Sequence, residues 1–142
     1  MADTDTILKL TLEGATKIVE AVLKEAKTRG REISVCVCDA GGHPIAFART
    51  DKASLTTISV AENKARCAAY TGHPTGKGSK AGVERSDFHA LAITLAAGPD
   101  KMVTVQGGVP IIVKGQCVGG VAVSGAGHSD GEIAQVGASL LA

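Results

Sequence analysis

The chain has no Trp, one Tyr and two Phe. A surface that stacks nucleobases needs aromatic faces, so this sequence is poorly equipped to bind single-stranded nucleic acid. Excess charge of one sign is also missing: Lys and Arg total 15 against 14 Asp and Glu. Such a balance gives no strong field to gather duplex nucleic acid or an anionic membrane surface. No apolar run approaches the roughly 20 residues that a bilayer-spanning helix needs. The first residues, Met1-Ala2-Asp3-Thr4-Asp5, are acidic, and no apolar segment with a small-residue cleavage site follows them. That pattern argues against a secretory leader. Cys-x-x-Cys pairs are absent as well. The four cysteines, Cys36, Cys38, Cys67 and Cys117, read as reduced and mostly buried thiols. Together these features predict a cytoplasmic protein with no nucleic-acid and no membrane partner.

What is present is ordinary globular usage, with 44% hydrophobic and 20% charged residues in a chain of 142. That length is enough to bury a core, and no linker or repeat divides it, so residues 1–142 are expected to form a single domain. Leu8, Leu12, Ala15, Val19, Val22 and Ala26 recur at helical spacing and predict a helix over 6–29, ended by Gly30. Residues 32–39 and 44–49 read as two strands joined by the turn Ala40-Gly41-Gly42-His43. A small-residue stripe of Ala61, Ala65 and Ala68 marks a helix over 54–70. Residues 71–85 carry four glycines and a proline without periodicity, and long loops of this kind are often functional. Ser86 can cap a helix over 87–97, which Gly98-Pro99 stops. Three short apolar runs, 102–105, 109–114 and 117–124, read as a strand meander. Ser129 and Glu132 stand at capping-box spacing before a last helix over 130–141. Hairpins rather than parallel crossovers join most strands, so an α+β fold with an antiparallel sheet covered by helices follows.

Several segments together resemble a known family. They are Val37-Cys-Asp-Ala-Gly-Gly-His43, Ala46-Phe-Ala-Arg-Thr-Asp51, Ala61-Glu-Asn-Lys-Ala-Arg66, Gly107-Gly-Val-Pro-Ile111, Gly115 to Gly120 and Val123-Ser-Gly-Ala126. In this order and spacing, the chain resembles the GlcG/HbpS proteins, which include the C-terminal domain of PduO-type cobalamin adenosyltransferases. The resemblance implies a profilin-like five-stranded antiparallel sheet flanked by helices. It also implies self-assembly, from dimers up to octamers. Some relatives bind haem, and the PduO domain has been linked to haem and corrinoids, whereas many members have no assigned chemistry. The polar, Gly-rich stretch from His73 to His89 departs from the usual pattern.

A haem iron needs one or two axial donors and an apolar slot for its macrocycle. All four histidines, His43, His73, His89 and His128, fall in loops or at helix starts. His43 follows the hairpin turn and belongs to the family pattern; it is either an exposed turn residue or a ligand. His73 precedes Pro74 and is either a chain exit or a donor. Thr75 lies where the family places a Pro-Thr near the haem site of haem-binding relatives. Arg49 could grip a haem propionate or other carboxylate, or pair with Asp51 or Glu62. Glu62 and Arg66 stand at i,i+4 and could pair on the helix surface. Lys64 could neutralise an anionic ligand or close a subunit contact.

A second reading is a small catabolic-pathway enzyme, an isomerase, hydratase or lyase acting on a carbonyl or carboxylate compound. Its base would be His89, oriented by Asp87 two residues earlier, with Arg49 or Lys64 holding the anion. Asp87 could equally do no more than stabilise a helix N-terminus. No His or Cys spacing predicts a metal site. Gly76-Lys77-Gly78-Ser79-Lys80 lacks the phosphate-loop pattern, no serine lies in a nucleophile elbow, and Cys67 has no histidine at helical spacing.

Overall fold

The computed structural model describes residues 2–78 and 82–141. Helix α1 spans Leu12–Thr28, and its apolar stripe of Ala15, Ile18, Val19, Val22 and Ala26 is buried. It begins six residues later than the periodicity predicts. The Thr11 side chain accepts from the Gly14 amide at 3.1 Å and caps the helix there. Upstream of that cap the chain is neither helix nor strand, and the Leu8 amide donates to the Gln116 side chain at 2.8 Å.

Strands β1 (Ser34–Asp39) and β2 (Pro44–Arg49) form the expected hairpin, followed by α2 (Thr56–Thr71) and α3 (Asp87–Ala97). Strands β3 (Gly108–Val113) and β4 (Gln116–Ser124) lead to α4 (Asp130–Ala138). The sheet order is β2-β1-β4-β3, antiparallel throughout. The described residues therefore hold four strands where five were expected. The missing one is 102–105. Lys101 and Met102 amides both turn back to the Gly98 carbonyl, each at 2.9 Å. Val103 then offers its carbonyl to the Cys67 thiol at 3.5 Å, so this segment packs on α2 rather than extending the sheet.

Two cores flank the sheet. Val35 and Val37 of β1, with Val121 and Val123 of β4, pack under α1 and α4. On the opposite face Cys36, Cys38 and Ala122 meet Ala61, Ala65 and Ala69 of α2. That second layer is thin because both surfaces are made of small residues. A Cβ at Gly120 would strike the Ala65 carbonyl, and one at Gly108 the Lys64 carbonyl. These glycines let α2 lie directly on β3 and β4.

The expected capping box at Ser129 does not form. Glu132 instead reaches Arg29 at 2.6 Å, and Asp130 turns back to accept from the Ala126 amide at 2.7 Å. Among the described residues no helix is long and apolar enough to cross a membrane.

Candidate functional site

The C-terminal end of α2 organises a cavity of about 420 Å³. Gly72 ends the helix in the left-handed region (φ 62°), where its amide reaches the Ala68 carbonyl. Thr71 fastens the exit: its hydroxyl donates to the Cys67 carbonyl at 2.9 Å and accepts from the His73 amide at 3.2 Å. Two residues on, Thr75 is docked onto β3. Its amide donates to the Gly108 carbonyl, and its buried hydroxyl accepts from the Gly108 amide, both at 2.9 Å. The segment 71–75 is thus pinned at both ends, to α2 at Thr71 and to β3 at Thr75.

Within that wall stand His73, Thr75, Cys67, Met102, Val103 and Arg85. The Nδ1 atom of His73 lies 2.8 Å from the Pro74 carbonyl. A carbonyl only accepts, so in the neutral imidazole this contact selects the tautomer with the proton on Nδ1 and a lone pair on Nε2. Cys67 sits 3.8 Å from the Met102 sulfur, and burial pushes its thiol up from the ordinary range. Arg85 lines the same cavity and folds the rim: its amide donates to the Lys77 carbonyl at 2.8 Å and its guanidinium to the Gly78 carbonyl at 3.1 Å. The cavity combines one imidazole donor, soft apolar walls and one guanidinium.

The remaining predicted site residues lie elsewhere. His43 is exposed in the β1–β2 turn, where its amide reaches the Asp39 carboxylate at 3.0 Å. That turn is held by α2, through Arg66 on the Gly42 carbonyl at 3.2 Å and Tyr70 on the Gly41 carbonyl at 3.1 Å. Arg66 also donates to the Asp100 carbonyl at 2.8 Å and so does not form the anticipated pair with Glu62. Arg49 is exposed at the far end of β2. Six residues at about 3.3 Å each put it about 20 Å from His43. Lys64 is 1% exposed and gives its ammonium to Asp130 and to the Val123 carbonyl, each at 3.1 Å. With both contacts internal, that charge does not face a ligand.

Asp87 and His89 do not form an oriented pair. The Asp87 carboxylate binds Lys77 across the loop, and this contact holds its pKa below the ordinary carboxylate range. His89 is exposed, with its amide donating to the Ser86 cap at 3.2 Å. Met102 and Arg85 were not recognisable in advance as wall residues, because the sequence places them 35 and 18 residues after Cys67. Thr71 left no signal beyond its place as the first residue of the glycine-rich loop 71–85.

A family model described as "Haem degrading protein HbpS-like" matches residues 10–139. The chain belongs to the HbpS-like family. Its GlcG/HbpS motifs are therefore those of a genuine member. The GlcG protein of Escherichia coli K12 is 32% identical over 115 residues, covering 81% of each chain. A crystal structure of a double mutant of HbpS from Streptomyces reticuli is similar at a TM-score of 0.80 and 32% identity, covering all of this chain and 93% of that one. The crystal structure of a PduOC–haem complex shares the fold at a TM-score of 0.78 and 23% identity, with 93% of this chain and 94% of that one covered. The HbpS-like fold thus spans the sheet, α2 and the wall that α2 carries.

Proposed function

We propose that this HbpS-like chain is a cytoplasmic, homo-oligomeric ligand-binding protein that takes haem or a related tetrapyrrole in the cavity at the end of α2. The observation that carries this reading is His73, an imidazole whose Nδ1 proton is engaged by the Pro74 carbonyl and whose Nε2 is left to donate beside an apolar wall. In this reading His73 would supply the nitrogen donor to the iron, and Thr75 would fix its strap on β3. Met102 and Val103 would give the ring an apolar wall, and Arg85 would take a propionate. When bound, the group supplies its own iron chemistry; the residues here bind, orient and shield it. The family's description and the PduOC–haem relative support the choice of ligand.

His43 and Arg49 are not needed for this site, and Lys64 serves it only from below, by holding α2 against β4. The enzymatic alternative with His89 as base loses its orienting carboxylate to Lys77. Titrating haemin into purified protein tests the proposal by visible absorption. A saturable, shifted Soret band is expected; a spectrum that stays that of free haemin at equimolar protein would reject it.

A further inference from the structure

Helix α3 is apolar on nearly every side: eight of its eleven residues, Phe88, Ala90, Leu91, Ala92, Ile93, Leu95, Ala96 and Ala97, carry no polar group. A helix of that composition is normally buried. Here only Ala90 is buried. Phe88, Leu91 and Leu95 are 82%, 60% and 68% exposed, and their i, i+3, i+7 spacing puts them on one face. Val105, which lines the hollow beside this ridge, is exposed as well. Among the described residues no other helix or strand makes more than a marginal contact with α3. Its one carboxylate, Asp87, is neutralised within the chain by Lys77.

Beside this ridge lies a hollow. It is a mainly apolar groove of about 460 Å³, lined by Leu91 and Thr94 of α3, by Met102, Val103 and Val105, and also by the paired side chains of Lys77 and Asp87. An exposed aromatic knob and an apolar groove on the same face are the requirements of a self-complementary contact. We propose that α3 is the contact face between two copies of this chain, paired antiparallel about a two-fold axis. Phe88 of each copy sits in the groove beside α3 of the other and packs on the partner's Leu95. The four exposed side chains Phe88, Leu91, Leu95 and Val105 present on the order of 400 Å² of apolar surface per copy, within the range of a monomer's largest and often functional patch. Pairing buries about twice that, and a polar rim brings the total to the roughly 1,000 Å² where specific interfaces begin.

Met102 and Val103 wall both this groove and the cavity that holds His73. A second copy would therefore close the outer side of the ligand cavity with its own Phe88. Only this last consequence rests on the haem reading; the pairing itself does not.

Sedimentation velocity on the whole protein, without haemin, tests the pairing. Wild type is expected to run as a dimer or a multiple of one. Phe88→Asp with Leu95→Asp, both at exposed positions, should halve the assembly mass while circular dichroism stays that of wild type. Because two carboxylates could also disturb α3 itself, Ala92→Cys provides a second readout. That position lies at the centre of an antiparallel α3 pair, and mild oxidation should link two copies at twice the chain mass, with far less linkage in wild type. A monomeric wild type overturns the proposal. So does an assembly whose mass is indifferent to the double substitution and whose Ala92→Cys form does not cross-link. Haemin titration of the same samples reads the ligand reading separately.

Discussion

The ammonium of Lys64 and the carboxylate of Asp130 meet 3.1 Å apart in the interior, joining α2 to the start of α4. The same ammonium reaches the Val123 carbonyl, and the other Asp130 oxygen holds the Ala126 amide. The pair therefore fixes α2, β4 and the turn before α4 at one point. Removing one partner strands a buried charge. Lys64→Ala or Asp130→Ala is expected to lower stability by about 3–5 kcal/mol, read as a lower urea midpoint. Lys64→Met combined with Asp130→Asn, which leaves no charge and keeps the Ala126 cap, should recover part of that loss.

Thr75 carries a different kind of restraint. Thr75→Val keeps the shape but leaves the Gly108 amide without its 2.9 Å acceptor. A buried donor without a partner costs about 1–3 kcal/mol, whereas Thr75→Ser keeps the hydroxyl and should stay close to wild type. The strap that presents His73 loosens with the bond, so haemin affinity should fall in the Val variant and hold in the Ser variant.

The thiols of β1 set an alkaline limit. Burial in the layer under α2 pushes Cys36 up to about 12 and Cys38 up to about 11, from an ordinary value of 9.0. A thiol in the unfolded chain loses its proton first, so above pH 9 the native state binds more protons than the unfolded one. This contribution is complete below the unfolded pKa and is lost as pH rises through 9 toward 12. Between pH 8 and pH 10.5 the stability should drop by roughly 4 kcal/mol for the two thiols together. Cys36→Ala with Cys38→Ala should flatten that slope. A thiol reagent at pH 8 should modify half-buried Cys117 well before these two.

Much of this architecture is legible in the chain. The stripe from Ala15 to Ala26, the glycine turn before His43 and the alanines of α2 each follow from local spacing, and the structure realises all three. What local spacing does not carry is the choice among distant partners. Met102–Val105 has a strand's composition, yet the Cys67 thiol and the Gly98 turn draw it onto α2. Ser129 and Glu132 have a capping box's spacing, but Arg29 offers Glu132 a charge, and Asp130 is needed by Lys64. Lys64 looks like a free cation because its counter-charge lies 66 residues away. For the same reason the cavity around His73 was visible only as a glycine-rich loop with a histidine and a threonine in it. Its far wall, Met102 and Val103, arrives from the other side of α3.

The axial role of His73 is the central claim, and ligand rescue tests it most directly. His73→Gly opens a space the size of the lost ring in the cavity wall. In visible absorption the account predicts that this variant loses the shifted Soret band of the haemin complex and regains it on addition of free imidazole. His43→Ala and His89→Ala should bind as wild type does. An unchanged haemin spectrum in His73→Gly, or loss of the band in His43→Ala or His89→Ala instead, would contradict it.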